Sequence, residues 1–89
     1  MPIRIARYSV GSVLRRLGRY EEAMSILQTA LETPGFEGYL REELGECLYG
    51  MGRTEEAKPY FAAALEMLSA ETDLSQSEAD RIANLKRRA

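Results

Sequence analysis

Histidine is absent from the 89 residues, cysteine occurs once, and no apolar run approaches the length of a membrane span. Each absence removes a class of function. Without histidine the chain lacks the commonest general base and the commonest metal ligand, and neither a metal-spaced cluster nor a Gly-rich phosphate loop takes its place. The lone Cys47 cannot close an internal disulfide, which fits a reducing compartment. A bilayer span needs roughly 20 consecutive apolar residues, and the opening MPIRIARYSV has none of the regions of a secretory signal. The sequence therefore predicts a cytoplasmic protein that is not an enzyme, takes no cofactor or metal, and does not engage a membrane.

What is present is an ordinary globular composition, 45% hydrophobic and 29% charged, which argues against disorder. The net charge of -2 conceals a segregation. Residues 1–19 carry Arg4, Arg7, Arg15, Arg16 and Arg19 with no acid, whereas residues 20–50 carry seven glutamates against Arg41. Such asymmetry either steers a charged partner or draws neighbouring helices together. Nucleic acid is not the expected partner, because the whole chain is negative and basic residues are not interleaved with aromatics.

Sliding the chain against itself by 34 residues brings eleven identities into register. Arg7, Gly11, Leu14, Gly18 and Arg19 fall on Arg41, Gly45, Leu48, Gly52 and Arg53. Glu21, Glu22 and Ala23 fall on Glu55, Glu56 and Ala57, and Ala30, Leu31 and Glu32 on Ala64, Leu65 and Glu66. A period of this length fixes the fold more firmly than local propensity does.

Each unit reads as two helices. In the first, Ile3, Ala6, Val10, Val13, Leu14 and Leu17 recur at three- and four-residue spacings as an inward stripe, and Gly18 follows where a left-handed cap is wanted. Glu21 and Glu22 then open a helix with Ala23, Ile26, Leu27, Ala30 and Leu31 inward, stopped by Thr33, Pro34 and Gly35. The second unit repeats the plan with Leu40, Leu44, Cys47, Leu48 and Met51, then Gly52, then Thr54 as N-cap, then Ala57, Phe61, Ala64, Leu65 and Leu68. Gly11, Gly45, Ala23 and Ala57 permit close helix approach, and Pro59 threatens a kink. The tail predicts one more helix, about Gln76 to Arg88, capped by Ser75 or Ser77, with Ala79, Ile82 and Leu85 inward and Lys86, Arg87 and Arg88 at its negative end. Cys47 lies on an apolar stripe and reads as a buried small hydrophobe rather than a nucleophile.

These residues resemble the tetratricopeptide repeat. The pattern is carried by Val10, Gly11, Leu14, Gly18, Tyr20, Ala23, Leu27 and Ala30, and again by Leu44, Gly45, Leu48, Gly52, Ala57, Phe61 and Ala64. Arg7 and Arg41 depart from it where a large residue is usual, Pro34 comes one residue early, and Ser69 stands in place of proline. The resemblance implies an all-α fold of about five helices, antiparallel pairs stacked as a short right-handed α-solenoid. It places a single domain over residues 1–89, with repeat one at 4–36, repeat two at 38–70 and a capping helix at 75–88.

The resemblance also implies an adaptor or scaffold that binds another protein or peptide on a concave surface lined by the first helix of each pair. On the second unit, Tyr39, Glu42, Glu46 and Tyr49 share a face opposite the core stripe, an acidic strip between two tyrosines. The equivalent places on the first unit are Ile5, Tyr8, Ser12 and Arg15. A basic or amphipathic segment lying across Tyr8, Ser12, Arg15, Tyr39, Glu42, Glu46 and Tyr49 is the functional expectation, and a solvated helix face is its competitor. Family members that grip a C-terminal carboxylate use lysine, arginine and asparagine here, so that ligand class is disfavoured. The alternative role is self-assembly, or a piece of a larger repeat protein with no ligand of its own: about two and a half repeats bury little, and Ile3, Ile5 and Met24 mark a face on which a homodimer could form.

Overall fold

The computed structural model describes residues 3–32, 37–70 and 76–89. Five helices occupy them: α1 (Ile3–Arg16), α2 (Tyr20–Ala30), α3 (Glu37–Gly50), α4 (Thr54–Ala70) and α5 (Gln76–Arg88). No strand occurs among the described residues. Each helix packs on the next in order, and α1 also reaches α3, so that two helix pairs stack and α5 packs on α4 with Arg81 and Arg88 reaching α3. Thr33, Pro34, Gly35 and Ser75, the expected stops and cap, lie outside the described residues, as do the side chains of Ile3, Ile5 and Ser77.

The turn inside each pair is the same motif twice. Gly18 and Gly52 adopt φ of 81° and 80°, a left-handed conformation that costs glycine nothing. The amides of Gly18 and Arg19 bond the carbonyls of Arg15 and Leu14 at 3.0 and 2.9 Å. Those of Gly52 and Arg53 repeat this onto Tyr49 and Leu48 at the same distances. The paired bonds satisfy carbonyls that the ends of α1 and α3 would otherwise leave orphaned.

Starting the second helix of each pair falls to arginine. The carbonyls of Arg19 and Arg53 accept the first helical bonds, from Ala23 and Ala57 at 3.0 and 3.1 Å, so the cap of α4 is Arg53 and not the expected Thr54. Neither arginine can accept a bond with its side chain. Instead Arg19 donates to Glu22 at 2.9 and 2.7 Å, and Arg53 clasps Glu56 in the same way. Glutamate so near the helix start also meets the positive end of its dipole. α4 runs unbroken through Pro59.

Two apolar clusters form the core. Ala23, Leu27, Ala30, Leu40, Leu44 and Cys47 fill the space between α2 and α3. Leu48, Ala57, Phe61, Ala64, Leu68 and Leu85 fill that between α3, α4 and α5. Close approach depends on the repeated glycines: a Cβ on Gly11 would stand 2.6 Å from Leu27, and one on Gly45 would stand 2.9 Å from Phe61. Full burial of a side chain as large as Phe61 contributes roughly 1.5–3 kcal/mol.

Four of the inward assignments differ. Val10, Val13 and Leu17 are 48%, 51% and 65% exposed, because among the described residues no helix lies in front of this face of α1. Ala79 is exposed as well, while Ile82 is half-buried and Leu85 is buried.

Candidate peptide-binding groove

The face of α3 opposite its core stripe lies between α1 and the tail helix. Tyr39 stands near one end, half-buried, and meets Tyr8 of α1 edge-on with ring centroids 6.3 Å apart at 77°. Arg81 of α5 sits 4.9 Å over the Tyr39 ring and pairs with Glu42, which is only 8% exposed. One turn further along α3, Glu46 pairs with Arg88. That guanidinium lies 4.8 Å over Tyr49 and 5.6 Å from Phe61, whose rings meet at 6.3 Å and 69°. Arg81 and Arg88 are seven residues apart and so share a face of α5. The acidic strip is therefore met by two arginines of the same chain, each pairing with a carboxylate and stacking on a tyrosine.

On the α1 wall, Arg15 reaches down to Glu43, donating through Nε at 2.5 Å and through Nη2 at 3.4 Å. Burial opposes the charge on Arg15, but the bond to Glu43 and its field outweigh that penalty and hold the guanidinium above its ordinary pKa. Tyr8 is pushed the same way, first by burial and then by the Glu43 carboxylate. Ser12 is buried, with only 6% of its surface exposed, and does not line the cleft. A cleft of about 390 Å³ remains, with Tyr8, Arg15, Glu42, Glu46 and Arg81 on its walls.

Of the seven residues expected on this surface, Tyr8, Arg15, Glu42 and Glu46 line the cleft, whereas Tyr39 and Tyr49 lie outside its lining, held by Arg81 and Arg88, and Ser12 is buried. Sequence reasoning missed Glu43, Arg81 and Arg88. The seven-residue spacing of the two arginines was a legible signal, matching glutamates four apart on α3. Nothing in the sequence linked Arg15 with Glu43 across 28 positions.

Beneath the groove, Cys47 is fully buried. Burial, then the nearby Glu43 carboxylate, pushes its thiol up to about 11, so it is not a nucleophile near neutral pH. Among the described residues no group of acids or cysteine is arranged to hold a metal ion, and no helix is long and apolar enough to cross a membrane.

A family model for the tetratricopeptide repeat matches residues 11–72. The chain belongs to the tetratricopeptide repeat family. No curated protein and no solved structure matches it significantly. Tetratricopeptide repeats in general mediate protein–protein interaction and are not enzymes. The match spans α2, α3, α4 and the end of α1, leaving α5 beyond it. The bridging arginines of α5 thus lie outside the matched repeat.

Proposed function

We propose that the chain is a protein-interaction module, an adaptor or scaffold, whose concave surface between α1, α3 and α5 holds a basic or amphipathic peptide or helix. The observation that carries this reading is the pairing of Arg81 with Glu42 and Tyr39, and of Arg88 with Glu46 and Tyr49. A guanidinium that both pairs with a carboxylate and stacks on an aromatic face uses the interactions best suited to arginine. A peptide cation has the same chemistry available to it. It enters by exchanging with Arg88, whose partners Glu46 and Tyr49 keep more solvent access than Glu42 does. Tyr49 then serves as an anchor while the acids set orientation.

The test is a fluorescence titration of the full chain with a labelled helical peptide bearing arginines seven residues apart. An Arg81→Ala, Arg88→Ala chain is expected to bind at least about tenfold more tightly than the unaltered one, because the internal competitors are gone. Glu46→Lys should abolish that gain, and binding should weaken with salt. If the peptide ignores all three chains, the acidic strip is ordinary surface closed by its own tail.

A further inference from the structure

Thirty-four residues before Leu44, Cys47 and Met51 stand Val10, Val13 and Leu17. In the second unit Leu44 and Cys47 are fully buried, because α2 lies over them with Ala23, Leu27 and Ala30. In α1 the matching positions are open, and Val10 and Val13, with Ser9 and Leu14, border a shallow depression whose lining is apolar. The molecule thus shows, in its second unit, what covers such a face: an amphipathic helix with a stripe of alanine and leucine.

Charge and register narrow the occupant. All the charged residues in 1–19 are arginines, and Arg16 and Arg19 are exposed beside the open face. Where α2 crosses α3, Glu21 in its first turn is close enough to add to the stabilisation of the Arg53 charge, and Arg53 is the counterpart of Arg19. An acid in the first turn of a docked helix would meet Arg19 in the same way. A second copy laid α1 against α1 would instead bring arginines together, and in this chain α2 is engaged by α3 and α4 by α5. Register differs at one place. Tyr20 packs on Gly50, where a Cβ would stand 2.6 Å from its ring, and the counterpart of Gly50 in α1 is Arg16, which has that Cβ.

We propose that the Val10, Val13 and Leu17 face of α1 is a second docking surface, separate from the concave groove. Its occupant is an amphipathic helix of another protein, with acid in its first turn and a small residue where α2 carries Tyr20. The contact is apolar in the middle and acid-to-arginine at the rim. Its geometry is that of α2 on α3, with the tyrosine contact removed.

The probe is a synthetic peptide of residues 20–32 carrying Tyr20→Ala, held helical by a lactam between Ser25→Glu and Thr29→Lys. Both of those positions are exposed in α2. Fluorescence anisotropy with the full chain should give saturable binding, weakened at least about tenfold by Val13→Asp in the chain or by restoring Tyr20 in the peptide. Arg19→Glu should weaken binding, and Glu21→Arg in the peptide should restore it. Val13 is half exposed, and circular dichroism of the Val13→Asp chain should match that of the unaltered one. Absence of binding, or binding indifferent to Val13→Asp, would overturn the proposal. So would a sedimentation experiment in which the chain alone dimerises and Val13→Asp makes it monomeric, since the occupant would then be a second copy.

Discussion

Arg15 of α1 and Glu43 of α3 form an ion pair that ties the first repeat to the second along the wall of the groove, with side chains only 22% and 8% exposed. The pair matters because one partner is far better buried than the other. Replacing Arg15 by alanine leaves Glu43 charged with little access to water, at a cost of about 3 kcal/mol. Glu43→Ala should cost less, about 1–2 kcal/mol, because the long arginine stem lets its head turn toward solvent. Arg15→Met with Glu43→Leu should recover most of the loss. Urea denaturation of the unaltered chain, Arg15→Ala, Glu43→Ala and the chain carrying both alanines forms the double-mutant cycle that measures the coupling, and additive single effects would show that the pair is not coupled.

The repeated glycines separate two kinds of constraint. Gly11→Ala introduces a Cβ 2.6 Å from Leu27, an overpacking expected to cost about 1–3 kcal/mol. Gly18→Ala meets nothing within 4 Å and suffers only from its φ of 81°, worth about 1–2 kcal/mol. The distinction shows in combination with Leu27→Ala. That substitution should couple to Gly11→Ala by at least about 1 kcal/mol and add to Gly18→Ala within about 0.5 kcal/mol. Thermal melts suffice, since 1 kcal/mol moves the midpoint of a domain this size by roughly 4–8 °C.

Much of this architecture is legible in the sequence because a 34-residue period shows in the residues themselves. The glycines at 18 and 52 mark both helix ends, and the stripe from Leu40 to Met51 is the one that packs inward. Periodicity reports which residues share a face and says nothing of what stands in front of it. For that reason Val10, Val13 and Leu17 read as inward although nothing covers them, whereas their counterparts Leu44 and Cys47 are covered. The side chain of Thr54 favours it as a cap, but the turn geometry set by Gly52 hands that position to Arg53. The groove is half legible: its tyrosines and acids stand out by spacing, whereas the burial of Ser12 and the Arg15–Glu43 pair depend on how α1 lies against α3.

Cys47 and Tyr8 make stability fall at alkaline pH. Both groups are neutral when protonated, and both are held above their ordinary values in the folded chain. As pH rises past about 9, the unfolded chain releases its thiol proton while the folded chain keeps it until about 11. Stability should therefore be complete below about pH 9 and decline through that interval. Cys47→Val, which installs the residue found at the matching place in repeat one, should flatten the decline and leave the Tyr8 share. A thiol reagent at pH 8 should react at least about a hundredfold more slowly with the folded chain than with the denatured one. Rapid labelling would mean that the α2–α3 seam opens readily.

The tail helix is expected to be held by its apolar contact and not by Arg88. Leu85 is fully buried with Phe61 and Leu68, so Leu85→Ala should cost about 2–4 kcal/mol and release α5. Arg88 gains from an ion pair and a ring face at a site that keeps water access, so Arg88→Ala should cost about 1 kcal/mol or less. Amide exchange along Gln76–Arg88 distinguishes the two, with protection lost in the first chain and kept in the second. Such a separation would let the peptide proposed above displace Arg88 without dismantling the third wall. Equal losses would make Arg88 a structural clamp, and the acidic strip would then serve the tail helix rather than a partner.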